Sequence, residues 1–391
     1  MSTEKNTQRT VRILADQNIP AVAHYTGAAA TVSHFSGREL NSAQLAGFDV
    51  LLVRSVTRVN AELLEGNDLR FVGTATSGVD HIDREYLQHR GIGFSYAPGS
   101  NANSVVEYVL AAIATSGDHL EQMLAGTPVG IIGYGVIGKA VAARLRALGV
   151  QCRVYDPWLD SADIADSSSL SDVLQCGVIT LHAELTRKIP WPSFHLLAAA
   201  ELAEIPTDSL LINASRGAVV DNAALSALLA RGAGPQVILD VWEGEPQISA
   251  TLLRQVQLGT PHIAGYSLDG KLLATQMLVH AMARHLNIPV INPGSAAGAA
   301  PVLHIPEGTQ GPTLLRALVA QRYDIHRDDS AVRAATLDMP PAQAASAFDQ
   351  LRRNYPVRRE ILGSHFAADN LGADARQLLA ALGCEPAERN Q

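Results

Sequence analysis

The chain has 391 residues, an apolar fraction of 47% and a formal net charge of −8 at neutral pH. That length exceeds what one core usually holds and points to two or three domains. The acidic balance argues against a broad polyanion-binding face, and therefore against nucleic acid as a partner.

The three cysteines, Cys152, Cys176 and Cys384, lack metal-ligand spacing, so no disulfide framework or structural metal site is expected. A reducing cytoplasm fits this usage. No uninterrupted apolar run is long enough to cross a bilayer, and no membrane partner is expected. Residues 1–10 are polar and read as a flexible tail.

From Val11 to about Tyr96, short apolar runs (VRILAD, FDVLLVRS, RFVGTA, GIGFSYAP) alternate with more polar stretches, the pattern of a parallel α/β sheet. A Gly- and Asn-rich turn at 98–103 leads into SVVEYVLAAIATS, whose apolar spacing predicts a long helix. A second α/β unit then runs through PVGIIG, QCRVYD, GVITLH, SLLINAS, QVILDV and VQLGT, a doubly wound pattern. SLDGKLLATQMLVHAMARHL predicts one helix that returns to the first domain.

After a Pro-, Gly- and Ala-rich connection, TLLRALVAQRYDI, AQAASAFDQLRRNY and ARQLLAALG predict helices, with a strand near REILGSHF. The expected fold class is α/β, with two doubly wound parallel-sheet domains and a small C-terminal α+β domain. The expected boundaries are 11–100 with 267–290 for substrate, 101–266 for a Rossmann NAD domain and 291–391 for the C-terminal domain.

Gly133, Gly135 and Gly138 form G-x-G-x-x-G directly after the strand-like VGII and directly before the helical KAVAARLRALG. In that context the motif, with Val136 and Ile137 inside it, predicts a pyrophosphate cradle at a helix N-terminus. Asp156 follows about 18 residues past Gly138, at the end of the next strand, where a carboxylate binds ribose hydroxyls and repels a 2′-phosphate. NAD is therefore the expected cofactor.

Three later runs each place a reactive side chain just past a strand-like segment: Arg216 after LLINAS, Glu245 after VILDVWEG and His262 after VQLGTP. In an open parallel sheet these ends share a crevice. An imidazole exchanges protons near neutrality, a carboxylate steadies it, and a planar guanidinium grips a carboxylate. Together they suit oxidation of a 2-hydroxy acid.

His81 with Asp80 and Asp83 has no metal-ligand frame, so a turn or cap is expected there and no metal is expected. Trp158, Trp191 and Trp242 are read as packing residues.

The runs NASRGAVVD, LDVWEGEP and TPHIAGY behind the glycine loop resemble the D-isomer-specific 2-hydroxyacid dehydrogenase family over about residues 11–290. The resemblance implies that Arg216, Glu245 and His262 are catalytic. It also implies that Ser55, Thr76 and Tyr266 meet substrate, and that Ala214, Ser215, Arg216, Asp240 and Gly265 meet NAD. LHAEL departs from the usual pattern, with Ala183 in place of a threonine that contacts the cofactor.

LLVRSVTRVN, FVGTATSGVDHID and HIAGYSLDGK, with YDIHRDD and FDQLRRNY in the last domain, narrow the similarity to a branch acting on a phosphorylated four-carbon hydroxy acid. That branch implies a cytoplasmic homodimer on the route to pyridoxal 5′-phosphate. Arg54, Arg352 with Arg353, and Arg358 with Arg359 are the candidate cations for the phosphate. Two readings stay open beside this one: a relative acting on 3-phosphoglycerate or glyoxylate, and a non-catalytic NAD-sensing interaction protein.

Overall fold

The computed structural model describes residues 9–37, 39–289, 291–367 and 371–387. Most of the expected N-terminal tail, residues 1–8, lies outside the described residues. The chain forms two compact units, one from the residues up to Asn101 together with Leu268–Ala299, the other from Ala102–Ser267 together with the residues from Ala300 on.

The first unit holds β1 (Val11–Asp16), β2 (Ala30–Phe35), β3 (Val50–Val53), β4 (Phe71–Thr74) and β5 (Gly93–Tyr96). They form one parallel sheet in the order β2-β1-β3-β4-β5. Successive side chains of a strand face opposite ways, so Val50 and Leu52 enter one apolar cluster while Leu51 and Val53 enter another. Helix Leu268–Leu286 covers the first face through Leu278 and Met282. Burial on both faces is why VLLV reads as an unbroken apolar run. β2, which the apolar runs of the sequence do not include, is an edge strand whose last residue, Phe35, is its only buried one.

The second unit holds β6 (Val129–Ile132), β7 (Cys152–Tyr155), β8 (Val178–Leu181), β9 (Leu210–Asn213), β10 (Gln236–Leu239) and β11 (Leu258–Gly259). Their parallel order is β11-β10-β9-β8-β6-β7, so the winding reverses between β6 and β8, the place at the carboxyl ends where open α/β sheets bind ligands. Helix Ala102–Ala114 is almost wholly buried and packs on this sheet.

The residues from Ala300 on join that core. Leu314, Leu315 and Leu318 of helix Gly311–Ala320 share a cluster with Val109 and Ile113, and Phe348 of helix Pro341–Arg353 shares another with Trp242. Burying one such side chain fully contributes about 1.5–3 kcal/mol. β12 (Val302–Leu303), β13 (His365–Phe366) and β14 (Glu385–Pro386) make a small parallel sheet, so the strand expected near REILGSHF is reduced to two residues.

Two expectations are corrected. The predicted helix TLLRALVAQRYDI stops at Ala320, and a separate helix, Ile325–Thr336, begins where the Asp324 carboxylate accepts the His326 and Arg327 amides. Of the three tryptophans only Trp242 is buried. Trp158 and Trp191 are each 48% exposed on loops after β7 and β8, where Trp158 Nε1 donates to the Trp191 carbonyl at 3.0 Å.

Candidate functional site

The loop after β6 is shaped by what its glycines lack. Gly133 has φ +93°, and a Cβ there would stand 2.5 Å from the Ala183 nitrogen and 2.7 Å from the His182 carbonyl carbon. A Cβ on Gly138 would stand 1.9 Å from the Gly133 oxygen. These two glycines let the loop lie against β8 and against its own helix.

Gly135 differs, because a Cβ there would meet open space. It starts helix Val136–Ala147, whose first amides receive no side-chain cap. Uncapped amides facing open space suit the diphosphate of a dinucleotide. Val136 is exposed there and Ile137 half-buried. Asp156, just past β7, accepts the Tyr134 amide at 2.8 Å and the Trp158 amide at 3.0 Å, so its carboxylate sits at the loop's mouth.

Ala183 lies against Gly133 without a hydroxyl to offer. Its neighbour His182 is buried, its Nε2 shared with the Thr180 hydroxyl at 3.0 Å, and desolvation lowers its pKa to about 3. It is neutral in the physiological range.

The loop after β9 is braced by Asn213, whose Oδ1 accepts from the Ser215 amide and hydroxyl while its Nδ2 donates to the Arg216 carbonyl. Arg216 is half-buried and returns one bond from Nη1 to the Ser215 carbonyl at 2.9 Å; Ala214 and Ser215 lie just before it. Gly217 then passes so close to the loop after β10 that a Cβ would fall 2.0 Å from the Trp242 carbonyl carbon. Only glycine permits that approach, which brings the backbones that carry Arg216 and Glu245 together.

Glu245 uses both of its carboxylate oxygens. Its Oε1 accepts the Trp242 amide at 2.7 Å and its Oε2 contacts His262 Nδ1 at 2.8 Å. Burial pushes its pKa up, but the His262 imidazole, the Trp242 N–H and the Arg352 guanidinium outweigh burial and hold the carboxyl below its ordinary value. An ionised Glu245 accepts only, so the proton of neutral His262 belongs on Nδ1 and the lone pair on Nε2.

His262 has φ +57°, a left-handed conformation that costs a non-glycine residue on the order of 1–3 kcal/mol. Asp240 holds it there. The Asp240 carbonyl accepts the His262 amide at 2.7 Å, and its buried carboxylate accepts the Ile263 amide, the Ala264 amide and the Thr260 hydroxyl at 2.7, 2.9 and 2.7 Å. Asp240, expected to meet the cofactor, thus devotes its carboxylate to the turn that carries His262. Gly265 and Tyr266 follow on that turn, with Tyr266 edge-on to Tyr355 at 5.7 Å.

Asn213, Thr260 and Trp242 were not singled out for these jobs. Trp242 Nε1 donates to the Thr260 carbonyl at 3.0 Å, and Tyr108 shares a 2.8 Å hydrogen bond with the Thr260 hydroxyl. An asparagine ending a strand before Ser-Arg-Gly is a turn signal that was legible; the tryptophan and tyrosine contacts were not.

On the first unit, Arg54 and Ser55 follow β3 and Thr76 follows β4, at carboxyl ends of that sheet. The Thr76 hydroxyl donates to the Gly78 carbonyl at 2.7 Å and pairs with Thr74 at 2.8 Å. His81 Nε2 lies 2.8 Å from the Thr74 hydroxyl and Asp83 caps helix Arg84–His89, the turn and cap roles expected there. One other group, His195 with Asp221 and Glu243, gathers metal-type donors within 4.8 Å of one another. There His195 Nε2 meets Glu243 at 2.9 Å while Asp221 caps helix Asn222–Ala230.

A parallel sheet with a glycine cradle, and an imidazole–carboxylate pair at neighbouring strand ends, define an NAD-dependent oxidoreductase of the 2-hydroxyacid type. The D-isomer specific 2-hydroxyacid dehydrogenase, NAD binding domain family matches residues 106–264, and a domain of unknown function, DUF3410, matches residues 303–383. The chain is 43% identical over 380 residues to erythronate-4-phosphate dehydrogenase of Cellvibrio japonicus, covering 95% of this chain and 99% of that one. It is 41% identical over 385 residues to the enzyme of that name from Azotobacter vinelandii, covering 96% and 100%. The D-lactate dehydrogenase of Aquifex aeolicus, solved with NAD and lactic acid, shares the fold with a TM-score of 0.59 at 23% identity, over 71% of this chain and 95% of that one. The chain belongs to the erythronate-4-phosphate dehydrogenase family, within the D-2-hydroxyacid dehydrogenases, and NAD is its cofactor.

Among the described residues no helix is long and apolar enough to cross a membrane.

Proposed function

We propose that this chain oxidises C2 of 4-phospho-D-erythronate to give 2-oxo-3-hydroxy-4-phosphobutanoate, on the route to pyridoxal 5′-phosphate. The observation that carries the reading is the 2.8 Å pair of His262 and Glu245 in the unit that holds the glycine cradle. The names of the relatives supply the substrate. NAD, when bound, supplies the hydride acceptor for C2.

The chain's own residues handle the proton and the charge. His262 Nε2 takes the C2 hydroxyl proton, and the imidazolium that results keeps its Nδ1–H on the Glu245 carboxylate. Arg216 orients the substrate carboxylate with two parallel hydrogen bonds and steadies the alkoxide as it forms. The amides of the loop holding Gly133, Gly135 and Gly138 take the cofactor's diphosphate, and Asp156 takes its ribose hydroxyls. Tyr266, on the turn that carries His262, and Arg54, Ser55 and Thr76, at strand ends of the other unit, are the further residues we assign to the substrate.

Residues 11–100 with 267–290 serve as the substrate domain, 101–266 as the NAD domain and 291–391 as a dimerisation domain. The protein works as a cytoplasmic homodimer.

The test is NADH fluorescence during incubation with 4-phospho-D-erythronate and a 2-oxo acid acceptor, comparing wild type with His262→Ala. Wild type should cycle the cofactor and the variant should not. A wild type inert towards this substrate ends the reading.

A further inference from the structure

The reaction proposed above leaves one end of the substrate unmatched. A phosphomonoester adds about two negative charges near neutral pH, and Arg216 is already committed to the carboxylate. Four arginines lie between positions 352 and 359, and their surroundings separate them. Arg353 is exposed. Arg358 also holds a buried Nε and Nη1 with no hydrogen-bond partner among the described residues, but the whole residue is 6% exposed. Its guanidinium lies over the Tyr323 ring at 4.4 Å and its Nη2 donates to the Ala264 carbonyl at 2.8 Å, so it is enclosed in the core, where Arg352 is only half-buried. Arg359 is half-buried and already has an interaction partner.

Arg352 stands apart from these. It lies in the last turn of helix Pro341–Arg353, whose Phe348 packs in the cluster that contains Trp242. From there its guanidinium interacts electrostatically with Tyr266, which is also within hydrogen-bonding reach, and with Glu245 and Asp240. Its Nε is buried and has no hydrogen-bond partner among the described residues. The two nearby carboxylates do not supply the missing acceptor. Asp240 is taken up by Thr260, Ile263 and Ala264, and Glu245 by Trp242 and His262.

A buried N–H without an acceptor is costly, and native proteins hold such groups mostly where something else completes them. We propose that Arg352 receives the phosphate of the hydroxy acid and thereby makes the enzyme select phosphorylated over unphosphorylated substrates. The proposal rests on the reading of function above. A guanidinium presents Nε and Nη as a planar fork that matches two phosphate oxygens, and partial burial weakens the competition from water. Arg352 belongs to the same unit as His262, so the span from reacting carbon to phosphate is set within one unit.

The test compares wild type, Arg352→Lys and Arg352→Met as NAD-loaded full-length protein. The first measurement is kcat/KM for 4-phospho-D-erythronate divided by that for D-erythronate. The ratio should fall about 100-fold or more in Arg352→Met and by less in Arg352→Lys, which keeps the charge but loses the fork. A ratio that stays at the wild-type value in both variants overturns the proposal. So does an equal loss on both substrates with a displaced pH profile, which would mark Arg352 as a support for Glu245 instead.

The second measurement is calorimetric binding of inorganic phosphate, which needs no turnover. Affinity should drop at least about tenfold in Arg352→Met, and undiminished affinity counts against the assignment. If wild type oxidises neither substrate, the functional reading fails while the phosphate titration still judges Arg352. If Arg352→Met does not fold, Arg352→Lys carries both measurements.

Discussion

The glycine loop after β6 and the histidine turn after β11 both sit at strand ends of one sheet, yet they are built on opposite principles. The first is made by omission: Gly133 and Gly138 are needed because a Cβ would strike backbone, and Gly135 because the space beside it must stay open. The second is made by addition: one buried carboxylate, Asp240, gathers two amides and a hydroxyl to hold His262 at φ +57°. A loop built by omission is written in its own few residues. A turn built by addition depends on partners about twenty positions away, and its strain is tolerated only because those partners over-determine it.

The largest expected effect tests whether the two loops work independently. His262→Ala removes the proposed base and should lower kcat by roughly 10²–10⁴-fold. NADH titration of the same variant reports on the glycine loop alone, and should match wild type because distant sites act additively. A matching collapse of NADH affinity would show the two loops to be one cooperative structure.

This difference also explains what could be read from the sequence. G-x-G-x-x-G with Asp156 was legible because its physics is local, and so were the reactive types Arg216, Glu245 and His262, each just past an apolar run. The structure places His262 Nδ1 2.8 Å from Glu245 Oε2. The scaffold behind it was not legible. Trp242, Thr260 and Tyr108 meet from three separate elements, and no spacing rule connects positions 108 and 260. β2 went unread because an edge strand with one buried residue carries little periodic signal. The break before Ile325 went unread because Asp324, a cap, sits inside a passage that otherwise looks helical.

The next effect concerns a buried network that joins positions 254 and 257 residues apart. Glu107 on helix Ala102–Ala114 accepts the Ile361 amide at 2.7 Å, and Asn103 Nδ2 bridges Glu107 and Glu360 at 2.8 and 2.9 Å. Burial, with the charge of Glu360 adding to it, raises the Glu107 carboxyl from 4.5 to about 7 against the opposing pull of Arg358. Between those values the folded protein keeps a proton that the unfolded chain has released, so stability from this group is full below about pH 4.5 and is lost as pH rises through 7. A shift of that size corresponds to about 3 kcal/mol. Denaturant unfolding at pH 5 and pH 8 should show Glu107→Gln removing most of that dependence. An unchanged pH slope would mean that Glu107 does not hold the proton.

A smaller loss is expected from Asp240→Asn. The amide keeps one acceptor oxygen but sets an NH2 group against amides of residues 263 or 264, leaving a buried donor unsatisfied at a cost of about 1–3 kcal/mol. Thermal unfolding should register that cost, and kcat should fall as His262 loses its fixed setting. Full stability with normal kcat would show that the turn holds itself and that Asp240 is not its organiser.

The smallest effect probes a place where the loop built by omission also uses a long-range partner. Asp156, proposed above to take the ribose hydroxyls, also accepts the Tyr134 amide inside the glycine loop. Asp156→Asn keeps an acceptor for Tyr134 while removing the charge that repels a 2′-phosphate. The preference for NAD over NADP should therefore narrow about tenfold, near 1.4 kcal/mol, with the loop's shape retained. The measurement is kcat/KM with each cofactor. If both cofactors weaken together and the preference stays, the carboxylate acts chiefly as a brace for Tyr134, and the loop after β6 would be built by addition as well.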